Sequence, residues 1–146
     1  MRTLRALKPM GETLALFVSA MVTLWLLVSN DVTFAIVPSP ETEAESLVRA
    51  LKARRLNAVK SELSESLRWE IDDRQLKALV ESIRSSHKGI SEAHGSETRQ
   101  QEPDKATATV EVKLGDQTEE TIEFPLVKEH GLWRVASIDP LGRLTR

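Results

Sequence analysis

Residues Thr13 to Ser29 read TLALFVSAMVTLWLLVS, a run without a single charged side chain. Taken with Glu12, it would measure about 27 Å as a helix at roughly 1.5 Å per residue, close to the thickness of a hydrocarbon core. Glu12 closes the run on one side, and Asn30 and Asp31 close it on the other. An aspartate at the centre of a bilayer costs roughly 2.5–3.5 kcal/mol, so Asp31 marks a boundary. Trp25 stands toward the far end, where an indole reaches the interfacial belt. The pattern predicts a membrane anchor over residues 12–31, with a tail at 1–11, a linker at 32–39 and a domain at 40–146.

Orientation follows from the flanks. Arg2, Arg5 and Lys8 precede the run, and Asp31, Glu41, Glu43 and Glu45 follow it. The positive-inside rule then puts the N-terminus in the cytoplasm and the domain outside. A cleaved signal peptide is the competing reading, with Thr33-Phe34-Ala35 as a tolerable cleavage site. Against it, the run is long for a signal core, and Phe34 is followed by further apolar residues. A buried helix of a soluble protein is the third alternative.

The anchor leaves about a hundred residues, enough for one hydrophobic core and not for two. Beyond residue 37 the chain carries 17 of its 20 basic and 20 of its 22 acidic residues, a net of -3. Nucleic acid binding is excluded on that balance, because phosphate recognition needs clustered Lys and Arg. There is no cysteine, which removes disulfides, thiolate metal sites, a cysteine nucleophile and lipidation at cysteine.

The first half of the domain has helical periodicity. Val37-Pro38-Ser39-Pro40 is a stiff linker, with Ser39 as N-cap and Pro40 at the first helical position. Ala44, Leu47, Val48 and Leu51 recur at helical spacing, and Val59, Leu63 and Leu67 follow at intervals of four. A third helix opens on a capping-box pattern, Asp72 with Gln75, and a staple of Ile71 on Leu76. Its stripe is Leu76, Leu79, Val80 and Ile83, with Gly89 as the stop.

After Gly89 the period becomes two. Ala106, Ala108, Val110, Val112 and Leu114 alternate with Thr107, Thr109, Glu111 and Lys113, as in a strand packed on one face and wet on the other. Gly115-Asp116 turns the chain into Ile122, Phe124 and Leu126, and His130-Gly131 turns it again into Leu132–Ile138. Pro125 lacks a ladder donor, so its strand should lie at an edge or carry a bulge there. A weakly patterned strand is expected around Ile90 to Thr98. Helices first and hairpin-linked strands afterwards predict an α+β domain, about three helices on a curved antiparallel sheet of about four strands.

The strand sequence ATATVEVKLGDQTEETIEFPLVKEHGLWRVASI resembles that of the nuclear-transport-factor-2-like, or cystatin-like cone, superfamily. The most telling piece is Leu126-Val127-Lys128-Glu129, then Gly131, then Trp133-Arg134-Val135. Leu63-Ser64-Glu65-Ser66-Leu67-Arg68 is similar to the second helix of bacterial members. The resemblance covers residues 40–140 and implies a cone in which Trp133 and Val135 help close the core. Membrane-anchored versions occur in bacteria as extracytoplasmic assembly or accessory proteins. Enzymes of the superfamily use acids or Asp–His pairs inside the cone.

No catalytic set is legible. His87, His94 and His130 show no metal-ligand spacing such as HExxH, and no GxSxG elbow is present. His87 stands at a helix end, where a cation satisfies carbonyls. The acids worth checking are Asp72, Asp73 and Glu120, and Asp72 is already explained as a cap. Glu120 is in phase with Ile122 and Phe124 and should point toward the helices, as a strand-end carboxylate at the mouth of the sheet that reaches water; only a buried carboxylate there would have a raised pKa and suit a general base. Trp69, Glu120, Phe124 and Trp133 are therefore the candidate pocket or core-lining residues, the tryptophans expected in the core. Arg49, Lys52, Arg54, Arg55 and Lys60 form a basic cluster that could touch anionic headgroups or an acidic partner, or simply be a solvated face paired with Glu45 and Glu62. No metal or cofactor is called for. The expected function is a membrane-anchored, non-enzymatic module that binds another protein or itself. A small-ligand pocket protein or an isomerase- or hydrolase-like enzyme is the alternative, and an apolar cone filled by Trp69, Phe124 and Trp133 would remove it.

Overall fold

A computed structural model describes residues 37–146. Among them no helix is long and apolar enough to cross a membrane; the expected anchor, 12–31, lies outside the described residues.

The first helix, α1, runs Pro40–Lys52 with Pro40 in its first turn. Ser39 occupies the N-cap position without a capping bond to the backbone; its hydroxyl instead meets that of Thr42 at 2.9 Å. Its buried face holds Ala44, Leu47, Val48 and Leu51, as the spacing predicts, and also Glu43.

The second helical stretch is broken. α2 covers Leu56–Glu62 and α3 covers Glu65–Glu70, so the domain has four helices where about three were expected. Between them Leu63 is extended and forms a parallel bridge with Val135, and the Ser64 N–H donates to the Val135 carbonyl at 2.8 Å. The Ser64 hydroxyl then caps α3 by accepting from the Leu67 N–H. A serine competes well for backbone donors, which favours a new helix start over continuation. The four-residue spacing survives the break, because Val59, Leu63 and Leu67 all remain buried.

The fourth helix, α4, spans Asp73–His87 and opens on the expected reciprocal capping box: the Gln75 N–H donates to Asp72 at 2.8 Å, and the Asp72 N–H donates to the Gln75 side chain at 2.9 Å. Leu76 and Ile83 are fully buried, while Leu79 and Val80 pack at the core's margin. The helix ends one residue earlier than Gly89, on Lys88 in the left-handed region.

Four antiparallel strands follow in meander order: β1 Ile90–Glu102, β2 Lys105–Leu114, β3 Glu119–Glu129 and β4 Leu132–Val135. β1 is the longest strand, yet three register irregularities interrupt its pairing with β2. Each shifts the side-chain phase, which is why alternation was hard to read there. α1 lies directly on β1 at Gly95, where a Cβ would come within 2.7 Å of the Glu41 carbonyl. His130 and Gly131, both at positive φ, make the two-residue turn between the Glu129–Leu132 pair.

The expectation for Pro125 is not met: β3 is an inner strand between β2 and β4, and its register with β2 runs unbroken through Thr107–Pro125. β4 pairs only with Leu126–Glu129, and the Pro125 carbonyl accepts from Ala136 on that side. The missing N–H therefore points to the margin where β4 has already ended. A closing 3₁₀ turn, Asp139–Thr145, buries Leu141 and Leu144 against α4 and β3. The sequence reading did not anticipate it.

Candidate functional site

The residues singled out in the sequence go to three different places. Phe124 is fully buried and Trp133 is 6 % exposed, with the Lys128 ammonium over its ring, so both belong to the packed interior with Leu47, Leu51, Leu63 and Ile122. Glu120 lies on the inward face of β3 but at its start, half-buried at the sheet's end. Trp69 was expected in the core and is 84 % exposed. The reason is angular: at about 100° per residue, Trp69 sits roughly 200° round α3 from the buried Leu67. The four do not form one pocket.

The basic cluster is mostly spoken for. Arg49 meets Glu45 at 2.5 Å, Lys60 meets Asp73 at 2.5 Å, and the Lys52 ammonium donates to the Ser91 carbonyl. Arg54 and Arg55 stay exposed beyond the end of α1.

The interior edge of the domain holds a group that the sequence reading missed. Glu43 of α1 is only 8 % exposed, and its carboxyl adjoins that of Glu62 at the end of α2. Arg134 of β4 stands between them, its Nη1 3.6 Å from Glu43 and 3.9 Å from Glu62. Burial, and then the neighbouring Glu43, push the Glu62 carboxyl up to about 8 against the pull of Arg134. Two carboxyls this close cannot both ionise cheaply, so near neutrality the pair retains a proton. A legible signal existed: Glu43 lies four residues before Leu47, on the buried stripe of its own helix.

Arg134 also lines a surface cleft of about 280 Å³ with Glu65, Arg68, Trp69, Glu129, His130 and Leu132. The cleft is built by tying α3 to the β3–β4 hairpin. The Glu129 carboxylate accepts from the Glu65 N–H at 3.0 and 3.2 Å, and Arg68 donates to the Leu63 carbonyl at 3.1 Å. Trp69 and Leu132, the latter 38 % exposed, are its apolar members.

Toward the opposite end lies a broad, open depression of about 1140 Å³, bordered by Arg49 and Lys52 and by the stretches 92–94, 111–113 and 119–121 of β1, β2 and β3. Its walls are mostly charged, with Ala93 and Val112 as the apolar members. Small-molecule pockets are instead concave and mainly apolar. Beyond it, both His87 ring nitrogens face acceptor oxygens: Nδ1 lies 2.7 Å from the Asp116 carboxylate and Nε2 lies 2.9 Å from the Arg146 backbone oxygen, so a doubly protonated ring donates to both. Asp116, helped by Arg146 and Glu120, raises the His87 pKa. The Thr118 N–H, followed by His87, draws the Asp116 carboxyl down to about 2. Among the described residues no group of three or more His, Cys, Asp or Glu is placed to hold a metal.

No family model matches this sequence, and no curated protein matches it. Among solved structures the chain is similar to a Campylobacter jejuni protein described as an NTF2-like transpeptidase. That likeness covers 68 % of this chain and 99 % of the other, at 16 % identity and a TM-score of 0.49. The α+β architecture given above stands on this chain's own backbone.

Proposed function

We propose that the chain is a non-enzymatic binding module, held at a membrane by residues 12–31 with its domain outside the cytoplasm, and that it serves as an accessory or assembly subunit of an envelope complex. The carrying observation is the filled interior. Phe124, Trp133 and the surrounding leucines occupy the space between helices and sheet that a small ligand would need. The Asp116–His87 pair lies at the end of the domain rather than inside it, and both imidazole nitrogens are engaged. That leaves none free to move a substrate proton.

The wide charged depression over β1–β3 is the face offered to a protein partner. A photo-cross-linking residue at exposed Thr121 should yield one reproducible adduct in intact cells, identified by mass spectrometry, or a self-dimer. If adducts are no more specific than from Arg74, which does not border the depression, the assignment fails.

One observation favours a second reading. A half-buried carboxyl that holds its proton near neutrality, Glu62 beside Arg134, has the properties of a general acid or base. The reading needs a small ligand that reaches it through the Trp69 cleft. Saturable binding of such a ligand, abolished in Glu62→Gln, would replace the binding-module reading.

A further inference from the structure

One end of the domain exposes apolar surface that its own fold does not use. Trp69 is 84 % exposed and Leu132 is 38 % exposed, and they share one cleft. A solvated indole makes little contribution to folding, whereas an indole at a lipid–water interface satisfies both its ring and its N–H.

The strand register fixes which end this is. α1 runs against β1 in the opposite sense: Glu41 meets Thr98, Glu45 accepts from the Gly95 N–H, and Lys52 reaches Ser91. The start of α1 therefore lies beside the last residues of β1. Those pair with the start of β2, since Glu102 faces Lys105, and Lys105 in turn faces Val127 near the end of β3. The β3–β4 hairpin, Trp69 and Pro40 consequently share one end of the sheet. Four strands about 4.8 Å apart separate β1 from β4 by only about 14 Å.

The tether sets the occupant. Residues 32–39 are eight in number and include Pro38, so their full extension is at most about 29 Å at roughly 3.6 Å per residue. A domain of this size has a radius of gyration of about 13 Å, so the tether is no longer than the domain is wide. On the anchor reading of residues 12–31, Pro40 stands no more than that length of chain from the point of insertion. The basic cluster is carried the other way, because α1 takes Arg49 and Lys52 about 14–18 Å from Pro40 at roughly 1.5 Å per residue.

We propose that the Trp69–Leu132 end of the domain rests on the lipid surface, with the Trp69 indole among the headgroups and Arg68, His130 and Arg134 toward their phosphates. The acids of the cleft, Glu65 and Glu129, are matched in number by Arg68 and Arg134, and the Glu129 carboxylate accepts from the Glu65 N–H. The proposal rests on the anchor reading of residues 12–31. It orients the charged depression away from the bilayer, where a partner can reach it.

The test uses the full chain with Trp25→Phe, reconstituted in nanodiscs of phosphatidylcholine and phosphatidylglycerol, with and without brominated acyl chains. Only Trp69 and Trp133 then emit, and Trp133 is buried. Brominated lipid should quench the Trp69 component, which should also be blue-shifted against the chain in detergent. Adding Trp69→Ala should remove the quenchable part. A chain that incorporates but whose emission ignores the bromines overturns the lipid contact and leaves the anchor standing. A chain that does not incorporate overturns both. Quenching that persists in the Trp69→Ala form assigns the contact to Trp133 and also overturns the proposal. A photo-cross-linker at position 69 that captures a protein in cells instead of lipid would assign the surface to that protein.

Discussion

The two ends of the domain expose opposite chemistries. At the hairpin end, Trp69 and Leu132 stand in solvent above a half-buried Glu43–Glu62–Arg134 group. At the other end, around His87 and Asp116, polar side chains are tied to one another and to the backbone, and the adjoining depression is walled by charge. Folding explains the second end without further help, since its bonds hold the β2–β3 turn and the closing 3₁₀ segment to α4. It does not explain the first, where a large aromatic is left out of an otherwise complete core. A residue that the fold does not need is the better place to look for an interaction.

The largest effect is expected in the core that joins the two ends. Phe124→Ala and Trp133→Ala should each cost about 3–5 kcal/mol, read as a loss of urea midpoint, because each leaves a large void in buried surroundings. A loss under about 1 kcal/mol for either would mean that the interior is not packed as described.

Next in size is the carboxyl pair. Glu62 binds its proton more tightly folded than unfolded, so between pH 4.5 and about 8 the folded state holds more protons. Stability should therefore fall as pH rises through that window and level off above it. Glu62→Gln keeps the neutral form at every pH. It should match the parent near pH 4.5 and exceed its Tm by several degrees at pH 9. A parent whose Tm is as high at pH 9 as at pH 5, relative to Glu62→Gln, would remove the shared proton.

The distal end should respond to pH in the same direction. His87 gains affinity for its proton on folding, chiefly from Asp116, so its contribution is full below the ordinary 6.5 and is lost as pH rises through the raised value. Amides of residues 139–146 should exchange faster above that value than intrinsic rates require. Asp116→Asn should bring the His87 titration, followed by NMR, back toward the ordinary value. The smallest effect is expected at Trp69. Trp69→Ala should alter unfolding by no more than about 0.5 kcal/mol, despite the size of the side chain, as for other surface substitutions. A loss comparable with that of Trp133→Ala would show that the fold does use it.

Much of the fold was legible because its signals are local. The Asp72–Gln75 box, the Pro40 start, the alternation along β2 and the His130-Gly131 turn each depend on a few adjacent residues, and each is present. β1 was weakly patterned because its irregular register shifts the side-chain phase. The break at Leu63–Ser64 was hidden because the buried spacing runs straight through it. Trp69 was misplaced on hydrophobicity alone, although its offset from Leu67 already pointed away from the core. Glu43 was counted only among the acids that follow the apolar run, when its position on the stripe also buried it.

The amino-acid order by itself determined the class of each segment, the one-sided burial of the strands and the apolar run at 13–29, since those follow from periodicity and charge along the chain. Which side chains meet was decided only by the tertiary structure. Glu43, Glu62 and Arg134 come from three elements up to 91 positions apart, and no local spacing brings them together. The same holds for Trp69 and Pro40, placed at one end by the antiparallel course of α1 against β1 and the register of four strands. Charge and exposure become a site only when such distant elements share a neighbourhood, because electrostatic and apolar contacts act through space and not along the chain.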